Sequence, residues 1–176
     1  MEGVTTRQIT EAAEQRNTSA VSYHFGSRDG LLRAILARRG GPVDEERGRL
    51  LTGAGADPTL DDLVRSLVAP YAALLDDPGG RAYLRIVAQL RGRFSAWRVE
   101  SDAATTRNLA TILDRIEAVP DVPPAVGRER VLALIMLLTG MVAERARRID
   151  DGTGADLDHA AFVAELTAMA AALVTA

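Results

Sequence analysis

Residues 18–32 read TSAVSYHFGSRDGLL. Aromatic residues make up only 4% of the 176 residues, yet Tyr23 and Phe25 flank His24 within one helical turn, on a segment too polar to be core. Thr18 or Ser19 offers a capping hydroxyl for a short helix that runs through Phe25. On that helix Val21 and Phe25, four apart, face inward, and Ser19, Ser22, Tyr23 and His24 lie outside, rich in hydrogen-bonding groups. A long helix then starts at Ser27 and runs through Leu31, Leu32, Ile35 and Leu36 towards Leu50 or Leu51, with a kink or break expected at Gly40, Gly41 and Pro42.

Upstream, Thr5 or Thr6 can cap another short helix whose inward face is Ile9, Ala12 and Ala13, followed by a polar turn from Glu14 to Asn17. Small residues such as Ala13 and Ala20 permit a close crossing. Two short helices joined by a tight turn describe a helix-turn-helix, whose second helix enters the DNA major groove. In that geometry Phe25 anchors, and Tyr23 and His24 reach phosphates or base edges. The formal net charge of −3 argues against a uniformly basic nucleic-acid binder, but charge is unevenly placed: up to Arg39 there are six Arg against four acids. Every basic residue is Arg.

The rest of the chain reads as helix. Leu60, Leu63, Val64, Leu67, Val68, Tyr71, Leu74 and Leu75 form one unbroken stripe, with Pro58 and Thr59 as its start signal. A second stripe holds Tyr83, Ile86, Val87, Leu90 and Phe94, with Gly79 and Gly80 before it. Leu109, Ile112, Leu113 and Ile116 make a third, closed by Pro120. A long helix to about Ile149 follows the Pro123, Pro124 break, and a last one runs from about Asp158 to Val174. The fold class is therefore all-α, and 47% apolar content is ample for a core. The longest apolar run, VLALIMLL from Val131 to Leu138, falls short of the ~18 residues that span a bilayer, so no membrane contact is expected. The N-terminus lacks the features of a secretory signal, and with no cysteine there are no disulfides or thiolate metal sites. The expected location is cytoplasmic.

The segment TTRQITEAAEQRNTSAVSYHFGSRDGLLRAIL, residues 5–36, closely resembles the DNA-binding signature of the TetR family of bacterial transcriptional regulators. It carries that family's Thr-x-x-x-Ile-x-x-x-Ala helix and its Tyr-His-Phe-x-Ser-(Lys/Arg)-(Asp/Glu)-x-Leu exit into a long helix. The resemblance covers residues 3 to about 37; beyond them the chain is similar to the family in helix count and lengths. It implies a DNA-binding domain over 1–38 and a helical ligand-binding and dimerisation domain over 39–176. Thr5, Thr6 and Arg7 would meet the DNA backbone, Thr18, Ser19, Ser22, Tyr23 and His24 would face the groove, and Arg28 takes the place of a phosphate-binding Lys. The implied partners are a double-stranded operator, a small-molecule effector and a second copy of the chain, paired through the last two long helices. Tyr71, Phe94 and Trp97 fall where the family keeps its ligand cavity, although Tyr71, Tyr83 and Phe94 fit core stripes equally well.

The family pattern also implies one more helix before Gly3, where this chain has Met1 and Glu2, and a glycine where this chain has Glu14. Weak DNA binding by the chain as it stands is the expectation, and the rival reading is a ligand-binding or dimeric interaction protein without DNA function. No motif sets a nucleophile beside His24 and Asp29, so no catalytic residue is expected. Asp156, Asp158 and His159 read as helix capping rather than as metal ligands, and no cofactor is implied.

On the last helix Phe162, Leu166, Met169 and Leu173 form one stripe and Val163, Ala170 and Val174 another, giving a surface for both a core and a partner. Gly140 with Ala143 permits close helix approach.

Overall fold

Five of the helix starts carry a side-chain oxygen over the free N–H groups of the first turn. Thr5 accepts from Gln8 N at 3.2 Å, Ser27 from Gly30 N at 3.0 Å, Thr59 from Asp62 N at 3.2 Å, Asp77 from Gly80 N at 2.9 Å and Asp158 from Ala161 N at 2.8 Å. Thr5 and Thr59 complete reciprocal capping boxes with Gln8 and Asp62. The computed structural model describes residues 5–15, 19–90, 106–119, 121–154 and 156–176. They are all-α: α1 (Thr6–Ala12), α2 (Ala20–Phe25), α3 (Arg28–Gly53), α4 (Leu60–Ala72), a 3₁₀ turn (Ala73–Asp76), α5 (Pro78–Leu90), α6 (Arg107–Ala118), α7 (Pro124–Asp150) and α8 (His159–Thr175). Among the described residues no helix is long and apolar enough to cross a membrane. The chain divides into two compact units, 1–38 and 39–176.

In the first unit α1 and α2 pack on each other. The inward face of α1 is not the expected one: Ala12 and Ala13 are exposed, Ile9 is half-buried and Thr10 is buried. Thr10 can go inside because its hydroxyl donates to the carbonyls of its own helix, Thr6 O at 3.1 Å and Arg7 O at 2.8 Å. On α2 Val21 is buried as expected, but Phe25 is 40% exposed and does not anchor the helix. It is the last residue of a six-residue helix, so its ring lies at the rim, where it meets the edge of His24 at 6.3 Å.

In the second unit the α4 stripe is buried at Leu63, Val64, Leu67, Val68, Tyr71 and Leu75, with Leu60 and Leu74 half-buried. α4 packs on α6 and α8, α5 on α7, and α7 on both α6 and α8. Between them Leu67, Leu84, Ile112, Ile116, Leu134 and Leu166 lose essentially all contact with water. α3 shows no break at Gly40, Gly41 and Pro42; helix continues from Arg28 to Gly53. Proline costs a helix interior about 3 kcal/mol, and the tertiary burial of Val43, Asp44 and Arg47 just beyond it offsets that.

Two stripes also differ from expectation. Gly79 and Gly80 lie inside the first turn of α5, and its buried residues are Gly80, Tyr83 and Leu84, with Ile86, Val87 and Leu90 half-buried. A Cβ at Gly80 would sit 2.1 Å from the Leu74 carbonyl oxygen, so the chain's return from the 3₁₀ turn requires glycine there. On α8 the buried row is Phe162, Leu166, Ala170 and Val174, with Thr167 beside it; Met169 is exposed and Leu173 half-buried. Thr167 is admitted by its hydroxyl bond to Val163 O at 2.7 Å. Pro120 and Phe94 lie outside the described residues.

Asp44 of α3 fixes the start of α6. Its carboxylate accepts from Asn108 N at 2.9 Å, Leu109 N at 2.8 Å and Asn108 Nδ2 at 3.2 Å, and its carbonyl takes a further bond from Asn108 Nδ2 at 2.9 Å. Asp150 joins α7 to α5, accepting from Arg81 at 2.5 Å and Arg85 at 2.8 Å.

Candidate functional site

The residues expected to face DNA lie on or next to three helices of the first unit. Thr5 is the N-cap of α1, its hydroxyl and backbone N–H both donating to Gln8 Oε1. Thr6 follows it, half-buried. Arg7 is exposed but engaged, its Nε donating to Glu11 at 2.8 Å one turn on. Thr18 lies outside the described residues. Ser19 stands at the N-cap position of α2 with helical angles, φ −85° and ψ −3°, rather than the extended angles of a capping residue.

Ser22, Tyr23 and His24 are all exposed on α2. Tyr23 is 83% exposed, its ring in edge-on contact with His24 at 5.0 Å. α2 ends at Gly26, whose φ of 71° belongs to the left-handed region. Ser27 caps the next helix, and Arg28, its first residue, is exposed with no ion-pair partner among the described residues. Ser22, Tyr23, His24 and Arg28 thus present two hydroxyls, an imidazole and a guanidinium to solvent over a short stretch of chain, a set suited to phosphate and base-edge contacts.

The turn between α1 and α2 carries a cost. Glu14 has φ 53°, and among the described residues it is the non-glycine residue with positive φ. A side chain in that region strains the turn, and the exposed carboxylate adds a negative charge to the first unit.

In the second unit Tyr71 is 5% exposed in α4. Phe94 and Trp97 lie outside the described residues. Next to Tyr71 the structure places a group that pattern reading missed. Arg47, on α3, is buried, and its neighbours include Tyr71, Tyr83 and Asp44. Burial, chiefly, lowers the guanidinium's pKa, while Asp44, Tyr83 and Tyr71 act in the opposite sense. Burial likewise raises that of the Tyr83 phenol, with Arg47 opposing. A helical cation ordinarily reads as solvated surface; the available signal was that Gly40, Asp44 and Arg47 recur at i, i+4 and i+7 and so share one face.

On α7 the run VLALIMLL buries Val131, Leu134, Ile135 and Leu138 and leaves Leu132 and Ala133 exposed, with Met136 and Leu137 half-buried. Gly140 and Ala143 are half-buried on that outer side, and Met141 is 38% exposed. Asp158 caps α8, as its position before an apolar helix implied.

No family model matches the chain, and no curated protein matches it in sequence.

Proposed function

We propose that the protein is a DNA-binding transcriptional regulator resembling the TetR family, a repressor acting in the cytoplasm and released from its operator by a small-molecule effector. The observation that carries this reading is the outward set Ser22, Tyr23, His24 and Arg28 on α2 and the start of α3, exposed to solvent where the signature would meet DNA. A twofold dimer would present two such heads to half-sites about 34 Å apart, or a multiple of that. An effector that binds one head spacing better than the other would then shift the protein off its operator. The outer face of α7, with Leu132, Met136, Leu137, Gly140 and Met141, supports the dimer, because an apolar helix face of this width is ordinarily covered. The outer face of α8 carries Ala161, Ala164, Ala168 and Ala172, with Glu165 and Met169 set among them.

The test is a duplex-binding titration against genomic fragments at several salt concentrations. Arg28→Ala should weaken binding to all sequences alike and lower the salt slope by about 0.9, the value of one phosphate contact. Ser19→Ala or Ser22→Ala should instead relax preference at one base pair, by at most ~1–3 kcal/mol. The rival, a ligand-binding or dimeric interaction protein without DNA function, draws support from the Arg7–Glu11 pair and the Glu14 carboxylate. Absence of any salt-dependent duplex binding would select it, and a monomeric mass by light scattering at micromolar concentration would remove the dimer.

A further inference from the structure

Several buried polar groups of the second unit have their partners close by. Thr139 and Thr167 donate to carbonyls of their own helices, and the Asp44 carboxylate accepts three N–H bonds at the start of α6. Arg47 is different. It is 7% exposed, and its Nε has no hydrogen-bond partner among the described residues. Among those residues Asp44 is the acid that acts on it, and does so through space, its hydrogen-bonding capacity turned to α6. A buried guanidinium with an unfilled Nε donor is costly, and such a charge normally has a bonded counter-group.

The surroundings suit an anion. Tyr71 comes from α4 and Tyr83 from α5, and both are buried beside Arg47. The Tyr83 hydroxyl lies along the same α3 face, 3.0 Å from where a Cβ at Gly40 would be. Phenol hydroxyls and a planar guanidinium together match the two oxygens of a carboxylate. The charge of Asp44 close by disfavours a dianionic phosphate and leaves room for a single negative charge. A neutral alcohol offers one oxygen and leaves the guanidinium fork half-used.

The geometry points to Arg47, with Tyr71 and Tyr83, as the seat of the carboxylate of a small monoanionic organic acid. This rests on reading the second unit as the effector-binding one, and it names the effector's chemical class.

The experiment uses the full chain and matched probe pairs: acetate, butyrate, hexanoate, octanoate and benzoate, each against its alcohol, by calorimetry and thermal melting. At least one acid should bind tenfold or more tightly than its alcohol and raise Tm. Arg47→Met should abolish that preference, with the Tm of the free protein unchanged or raised, because a thioether replaces a buried cation. The Arg47 Nε–H resonance of the wild type, which needs no variant to be followed, should move with the preferred acid and stay in place with its alcohol. The inference is overturned if no acid outperforms its alcohol, if the preference survives Arg47→Met, or if the resonance does not move. Acid binding without duplex binding would keep this site and remove the regulator reading; duplex binding without acid preference would do the reverse.

Discussion

The two units use their residues in opposite ways. In residues 1–38 the helices α1 and α2 are seven and six residues long, and Val21 is the buried apolar side chain among those described. In residues 39–176 the helices are longer, and a continuous set from Leu63 to Val174 is buried. A small unit cannot bury enough apolar surface to offset its own ordering entropy by much. What it can do is hold polar and aromatic groups in water, and it does so with Tyr23, 83% exposed. The lesson is that the first unit keeps its chemistry-bearing side chains in water, whereas the second is defined by what its side chains pack against.

The sharpest way to break that contrast is a pair of truncations. Leu134→Ala, at a fully buried site in α7, should cost about 2–5 kcal/mol in urea unfolding. Tyr23→Ala should change stability by no more than about 0.5 kcal/mol, while lowering duplex affinity. Equal costs would show the division to be false. Next in size is Asp44→Ala, which strips the start of α6 of its acceptors and should cost roughly 1.5–3 kcal/mol, read in the same unfolding experiment.

A smaller effect belongs to the first unit. Glu14→Gly relieves a left-handed backbone at φ 53° and should stabilise by about 1 kcal/mol or less, since glycine also loosens the unfolded chain. If Tm falls instead, the turn is not strained. The smallest concerns Glu144 on α7, where hydrogen bonds from Arg147 and then Arg148 hold the carboxyl down to about 2. Its contribution is fully present above the ordinary value of 4.5 and is lost as pH falls through about 2, because the unfolded chain takes up the proton first. Glu144→Gln should flatten the melting curve's pH dependence in that window and leave neutral pH nearly unchanged; the group is exposed, so the difference is small.

The sequence made the second unit's helices legible where periodicity and capping agreed. Leu60 to Leu75 with Thr59 is such a case, and its buried face came out as the spacing predicts. α8 was harder, since alanine fills so many of its positions that every face is apolar and spacing cannot choose Phe162, Leu166, Ala170 and Val174 over the neighbouring rows. Thr10 and Thr167 are absent from the stripes because a hydroxyl counts as polar in a pattern, although it can bond its own helix and go inside. Phe25 was read as an anchor from its spacing to Val21, but a helix of six residues ends before its last side chain is covered. In the candidate site the exposure of Ser22, Tyr23 and His24 was legible from the sequence. Arg47 was not, since only the helices packed around it make it buried.

The acceptors that Asp44 provides lie 64 residues away in the chain from the amide they hold. The start of α6 is therefore decided by docking rather than by its own neighbours, and the helix acquires a defined first turn only once α3 has come to rest against it. In hydrogen exchange this inverts the usual order within a helix. The Asn108 and Leu109 amides, which in a locally capped helix would fray early, should exchange only when the whole unit opens, and no more readily than amides in the middle of α6.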